Sequence, residues 1–192
     1  VAYATKLPPH NVTEVCDALT VLIDDPEIDI DGLMEVVKAP DFPTGGVIYG
    51  MSGVRSAYLT GSGIIKLRAR THIEEQRDGR EHIVVTEIPY LVDKSTLLQK
   101  MADLVRGKTI EDVSNIRDES GRDGLRIVVE LKRNAQHEVV LNQLFSHSML
   151  QFSFGVNAIA IVKGRPETLN LKQLLEHYVA HRHEVILRRT RF

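Results

Sequence analysis

Ile64-Ile65-Lys66-Leu67-Arg68-Ala69-Arg70-Thr71-His72-Ile73 alternates residue by residue from Ile65 onward. Ile65, Leu67, Ala69, Thr71 and Ile73 fall on one face, and Lys66, Arg68, Arg70 and His72 on the other. That is the two-residue period of a strand with one face buried. The stretch predicts a single strand, the strongest in the chain. Arg77-Asp78-Gly79-Arg80 supplies a turn, and Glu81 to Ile88 predicts the returning strand of a β-hairpin.

Downstream, Pro89 ends that strand. Ser95, Leu97, Leu98, Met101, Leu104 and Val105 outline a helix closed by Gly107. Ile110 to Asn115 reads as a connector and Arg117 to Gly124 as a charge-paired loop, since it lacks the alternating oxygen ligands of a calcium loop. Leu125 to Leu131 predicts another half-buried strand, Glu138 to Ser146 a helix, and Val156 to Val162 a buried strand. Gly164-Arg165-Pro166 interrupts the pattern. Beyond it Asn170 can cap a helix running to Phe192, about 33 Å long at 1.5 Å per residue.

Upstream, Asn11 and Glu14 suit the start of a helix with an apolar stripe of Val12, Val15, Leu19, Leu22 and Ile23. Asp29 or Asp31 can cap a short helix through Leu33, Val36 and Val37. Val47-Ile48-Tyr49 reads as a short strand, and Gly50 to Gly63 as a short helix or turn. This mixture of hairpin and helices predicts an α+β fold (mixed α/β), a hairpin-containing sheet with packed helices followed by a long projecting C-terminal helix.

With 192 residues, 43% of them hydrophobic and 26% charged, the chain can bury a core of its own. No apolar run reaches membrane-spanning length and no signal-peptide pattern opens the sequence. The single Cys16 cannot form an internal disulfide, which accords with a reducing compartment, and is read as a core residue. These features predict a cytoplasmic protein with no membrane partner. The net charge of −2 places any basic surface locally. The sequence opens on Val1 and stops within a helical pattern, and so reads as a piece of something larger.

Lys6-Leu7-Pro8-Pro9-His10-Asn11 sets one aliphatic side chain before two prolines. Proline fixes its own φ and holds the preceding residue extended, so Leu7 should sit on a stiff arm backed by a capped helix. Leu7 either packs beneath that helix or serves as a wedge of the kind that enters a DNA base step. The basic face of Lys66, Arg68, Arg70 and His72 is either a solvated strand face or a rail for backbone phosphates.

Ala4-Thr5-Lys6-Leu7-Pro8-Pro9-His10-Asn11 resembles the A-T-x-I-P-P-H-N segment of the bacterial DNA gyrase A and topoisomerase IV A subunit family. The resemblance continues through Pro40-Asp41-Phe42-Pro43-Thr44, Arg68-Ala69-Arg70-Thr71-His72-Ile73-Glu74, Arg117-Asp118-Glu119-Ser120, Ser153-Phe154-Gly155-Val156-Asn157 and His181-Arg182-His183-Glu184-Val185. It covers the whole chain in the family's order. It implies a tower domain over residues 1–165, with 1–11 as wedge arm and junction to a winged-helix domain, and the start of a coiled-coil arm over 166–192. Leu7 is implied as the DNA wedge, Lys6, His10, Lys66, Arg68, Arg70 and His72 as backbone contacts, and Pro8, Pro9 and Asn11 as structural supports. Ala2, Tyr3, Lys6 and Leu7 depart from the commoner residues of the family, which has Ile at the wedge.

The resemblance further implies an ATP-dependent type IIA topoisomerase that binds and bends double-stranded DNA, with a homodimer of A subunits joined by B-type subunits in a heterotetramer. Mg and ATP belong there to the B subunit. The family's nucleophilic tyrosine follows an arginine, and none of Tyr3, Tyr49, Tyr58, Tyr90 or Tyr178 does. No catalytic residue, metal site or cofactor is therefore assigned to this chain, which is expected to be inactive alone. Gyrase is favoured over a topoisomerase IV A-type subunit by Ser153 to Asn157. The rival is a non-enzymatic assembly scaffold. His177 and His181, one turn apart with Glu184 beyond, give a weaker metal-hydrolase alternative. Arg182, Arg188, Arg189 and Arg191 around Glu184 read as a solvated helix face.

Overall fold

The computed structural model describes residues 4–76 and 79–192. In chain order the first elements are α1 (Val12–Asp24), α2 (Ile30–Val36), β1 (Val47–Ile48), α3 (Ser52–Thr60), β2 (Ser62–Arg68), β3 (Arg70–Glu75), β4 (Glu81–Glu87) and α4 (Lys94–Arg106). There follow β5 (Val113–Asp118), β6 (Ile127–Leu131), α5 (His137–His147), β7 (Gln151–Asn157), β8 (Ile159–Val162), β9 (Arg165–Thr168) and α6 (Leu171–Arg191). The fold is α+β, with antiparallel pairing in β1–β2, β3–β4–β6–β5 and β8–β9. The chain forms two compact units.

The first unit holds the described residues up to Phe42, Gly50–Ile65 and Phe154–Phe192. Asn11 caps α1 by accepting the amides of Thr13 and Glu14, and Asp29 caps α2 by accepting that of Gly32. The buried stripe of α1 is centred on Ala18 and Leu22, while Val12 and Ile23 face outward. Cys16 is exposed, which corrects its reading as a core residue. Cys16 and Ala18 are two positions apart, and at 100° per residue that is about 200° around the helix, the far side from the core.

In α3, Val54, Ala57 and Tyr58 are buried. Gly53 on this helix lies so close to the Ile64 carbonyl that a Cβ there would collide with it. The β8–β9 ribbon turns through Lys163 and Gly164, both at positive φ, as a two-residue primed turn requires. The helix α6 opens with a complete capping box between Asn170 and Gln173. It buries Leu171 and Leu175 and leaves Tyr178, Ile186 and Leu187 exposed.

The second unit holds Pro43–Tyr49 and Lys66–Ser153. One face of its four-stranded sheet carries Ile83, Val85, Ile127, Val129 and Leu131, packed in one core with Leu97, Met101 and Leu104 of α4 and Val140 and Leu144 of α5. Val84 and Val128 are paired across the ladder and are also buried, so β4 and β6 read as nearly continuous apolar runs. The hairpin of β3 and β4 forms with Ile73 opposite Ile83 and Glu75 opposite Glu81. Residues 77 and 78 of its expected turn lie outside the described residues.

Three strand expectations need correcting. The alternating run from Ile64 to Ile73 is two strands in different sheets, separated at Ala69, whose amide donates to the Leu150 carbonyl at 2.8 Å. A register shift follows between Arg70 and Thr71. The side-chain alternation survives the change of partner, so the pattern alone cannot reveal it. The expected connector and loop around Ile110 to Gly124 contain β5, an edge strand on β6. The expected strand from Val156 to Val162 is divided at Ala158 between β7 and β8, with β9 added beyond.

Candidate nucleic-acid interface

In the first unit, Lys6 and Asn157 exchange both backbone hydrogen bonds, at 2.8 and 2.9 Å. The Asn157 side chain donates to the Ala4 carbonyl at 2.7 Å, and the Thr5 hydroxyl donates to the Asn157 carbonyl at 3.2 Å. The segment before the prolines is thus pinned by an isolated antiparallel bridge to the end of β7. Leu7 follows, 49% exposed, and Pro8 behind it is buried. The apolar tip stands out from an anchored backbone.

Lys6 lies with its Nζ 4.5 Å from the centre of the Phe154 ring. Phe154 meets Phe42 edge to face at 5.5 Å. This cation stays exposed while its stem packs on an aromatic surface. Pro9 presents its carbonyl to the Asp41 amide at 2.9 Å, and Asn11 donates to the Asp41 carboxylate at 3.4 Å.

His10 is half-buried, with Nδ1 2.9 Å from the Pro8 carbonyl and Nε2 2.8 Å from the Tyr58 hydroxyl. A carbonyl only accepts, so Nδ1 carries the proton and Tyr58 donates to Nε2. Burial lowers the His10 pKa, against the opposing pull of the Pro8 carbonyl and the Glu14 and Asp41 carboxylates. Burial likewise raises the Tyr58 pKa. Both ring nitrogens of the neutral imidazole are occupied within the protein.

The basic face lies in the second unit. Lys66 on β2 is exposed and forms no ion pair among the described residues. Arg68 is half-buried: its guanidinium lies 3.5 Å from the centre of the Tyr49 ring and 4.6 Å from that of Phe145, and its Nε donates to Gln151 Oε1 at 2.7 Å. Arg70 on β3 pairs with Glu87 at 3.1 Å while staying largely exposed. The other Glu87 oxygen accepts the Gly46 amide, and this bond, ahead of Arg70, lowers the Glu87 pKa. His72 sits 3.1 Å from Glu74, which also pairs with Arg126.

The four expected cations therefore have different surroundings. Lys66 and Arg70 present accessible charge, Arg68 is built into an aromatic stack, and His72 joins a carboxylate network. The loop expected to be charge-paired supplies Lys94–Asp118, Arg117–Glu119 and Arg126–Glu119. Lys94, ahead of Ser120, holds the Asp118 carboxyl down at about 2. On α6, His177, His181 and Glu184 are all exposed, and Glu184 pairs with Arg188 at 3.1 Å. Among the described residues no three His, Cys, Asp or Glu side chains are grouped to hold a metal ion. The pairing of His10 with Tyr58, 48 positions apart, and the Arg68 stack had no signal in the sequence, because each depends on tertiary approach.

Over residues 1–192 the sequence matches the family described as the A subunit of DNA gyrase/topoisomerase IV. The chain belongs to that family. It is 52% identical to the DNA gyrase A subunit of Clostridium acetobutylicum and 54% identical to that of Granulibacter bethesdensis, each over 192 residues. It is 50% identical over 193 residues to the DNA gyrase A subunit of Escherichia coli K12. Each alignment covers 100% of this chain but 23%, 20% and 22% of those relatives in turn, so this gyrase A-type sequence spans about a fifth of their length. No helix among its described residues is long and apolar enough to cross a membrane.

Proposed function

We propose that this chain is the part of a gyrase A-type subunit that grips and bends the DNA segment to be cut. Leu7 enters a base step as the wedge, with Lys6 beside it on a phosphate. Lys66 and Arg70, with His72 when it leaves Glu74, hold backbone phosphates further along. The observation that carries this reading is Leu7 itself, an exposed aliphatic side chain on an arm fixed by paired backbone bonds before it and buried Pro8 behind it. An apolar wedge is useful only on a support stiffer than the stacked bases it separates.

In the intact protein, we assign residues 1–165 to a tower domain and 166–192 to the start of a coiled-coil arm through which A subunits pair. The exposed Tyr178 and Ile186 of α6, about 80° apart around the helix, supply apolar side chains for that pairing. B-type subunits would complete a heterotetramer and hold ATP and Mg, and the cycle would be transient double-strand breakage with negative supercoiling in the cytoplasm. The tyrosine nucleophile would come from outside this chain. No step assigned to the present residues passes through metal or nucleotide.

The test is binding of a short duplex over a salt series, with DNA bending read from energy transfer between its labelled ends. Wild type should bind more weakly as salt rises and should bend the duplex. Lys66→Ala/Arg70→Ala should make the log–log salt slope shallower by about 2, close to one for each phosphate contact removed. Leu7→Ala should bind but leave the duplex nearly straight. Salt-independent binding, or equal bending by Leu7→Ala, would overturn the reading.

A further inference from the structure

Between Leu7 and the first turn of α1 the chain has few soft dihedrals, and each is restrained. The Lys6 carbonyl accepts the Asn157 amide, which fixes the peptide leading into Leu7. Pro8 keeps Leu7 extended, and the two proline rings fix their own φ angles. Pro9 ψ is held by the bond from Asp41 to its carbonyl. Pro8 stands before Pro9 and is kept extended in the same way, and within that range its peptide plane is set by His10 Nδ1, which donates to the Pro8 carbonyl at 2.9 Å. The imidazole is itself held from the other side by the hydroxyl of Tyr58, which is 4% exposed on α3. Their rings stand 5.7 Å apart, tilted by 32°.

We infer that His10 is a positioning residue for the wedge: in its Nδ1–H form it locks the Pro8 carbonyl and transmits the rigidity of buried Tyr58 to Leu7. This rests on the wedge reading above and gives His10 a role other than holding phosphate. While the ring is neutral it has no nitrogen left for DNA. A second proton would go to Nε2, and the Tyr58 hydroxyl could then no longer donate there. The groups facing the ring are Glu14 of α1, Asp41 of the loop after α2 and Tyr58 of α3. The two carboxylates favour that proton and burial opposes it.

The experiment compares bending per bound complex for wild type, Leu7→Ala, His10→Leu, His10→Asn and Tyr58→Phe, using the full 192-residue chain. The amide nitrogen of Asn overlays Nδ1, so His10→Asn keeps the donor to Pro8 while losing the titration. The expected results are a loss of at least half the bending in His10→Leu and a smaller, similar loss in Tyr58→Phe and His10→Asn, each of which removes the Tyr58 contact but keeps a donor to the Pro8 carbonyl. Affinity should stay within about threefold in all three, because the phosphate contacts remain. Wild-type bending should decline reversibly only in acid beyond the ordinary histidine range, because burial lowers the His10 pKa. The decline should be no larger than the loss in Tyr58→Phe, because the imidazolium keeps its Nδ1–H on Pro8, whereas the bending of His10→Asn should stay level. Nitrogen-15 spectra at neutral pH should show His10 as the Nδ1–H tautomer.

If Leu7→Ala is straight but His10→Leu and Tyr58→Phe bend like wild type, the positioning role falls and the wedge stands. If Leu7→Ala bends like wild type, both fall. An Nε2–H tautomer also overturns the inference. Should His10→Leu fail to fold, His10→Asn and Tyr58→Phe decide the matter by the same criteria.

Discussion

Arg126 and Glu74 meet as a two-pronged pair, Nη1 to Oε1 and Nη2 to Oε2, each at 2.8 Å. Arg126 also reaches Glu119, and Arg117 links Glu119 to Glu130. His72, Val84, Val128 and Arg117 stand opposite one another across the four strands and so share a face. The ionic lattice on that face, with its aliphatic stems, shields Val84 and Val128 from water.

Arg126, followed by His72, holds the Glu74 carboxyl down at about 2, from an ordinary 4.5. A carboxylate with a depressed folded-state pKa adds stability in full above its unfolded value and loses it as pH falls through the folded one. The Glu74 contribution should therefore disappear between about pH 4.5 and pH 2. Arg126→Met should cost about 1 kcal/mol at neutral pH, as expected for a partly exposed pair. It should also flatten the acid limb over that interval. Urea unfolding at a series of pH values measures both effects, and an unchanged acid limb would exclude Glu74 as its source.

Arg68 contributes through its plane. Lysine can keep the charge but cannot stack flat on Tyr49 or donate from Nε to Gln151. Arg68→Lys should lower unfolding stability by about 1 kcal/mol and Arg68→Ala by about 2 kcal/mol, the range of partly desolvated cation–π contacts. Thermal unfolding gives the values. The salt slope for DNA should change less in Arg68→Ala than in Lys66→Ala. Equal changes would show that Arg68 also reaches phosphate.

Gly53 allows α3 to lie against the backbone at Ile64. A methyl group there meets a carbonyl rather than a movable side chain, so Gly53→Ala should cost about 3 kcal/mol, the upper range for overpacking. Gly121→Ala serves as the control, since a Cβ at that position meets nothing within 4 Å. Calorimetry of the two variants should separate them clearly.

Cys16 should react with a thiol reagent in the native protein, at one equivalent per chain and without denaturant. Replacing it by serine should change stability by less than about 0.5 kcal/mol, as at other surface sites. Slow reaction accelerated by urea would instead place the thiol in the core.

The readable parts of this fold were those whose signal is local. The hairpin of β3 and β4, the caps at Asn11, Asp29 and Asn170 and the helix α4 before Gly107 all follow from period and punctuation. Strand β5 gives a weaker signal because Ser114, Asn115, Arg117 and Asp118 dilute its apolar residues at a sheet edge. Strand β9 is exposed throughout and has no buried face to betray it. At the candidate interface, the arm before Pro8 and Pro9 was legible because proline acts on its immediate neighbours. Its fastening to Asn157 and Tyr58 was not, because those partners are distant in sequence.

That fastening sets an order of events during synthesis. Thr5 and Asn157 are 152 positions apart, and all of the second unit is encoded between them. A growing chain presents every strand of the β3–β4–β6–β5 sheet before it presents Asn157. The sheet can close over short loops while the residues around Leu7 still wait for their partner. The arm leaves the ribosome ahead of that whole sheet and is secured only after it, and in the interval Leu7 is an unanchored apolar residue open to chaperones.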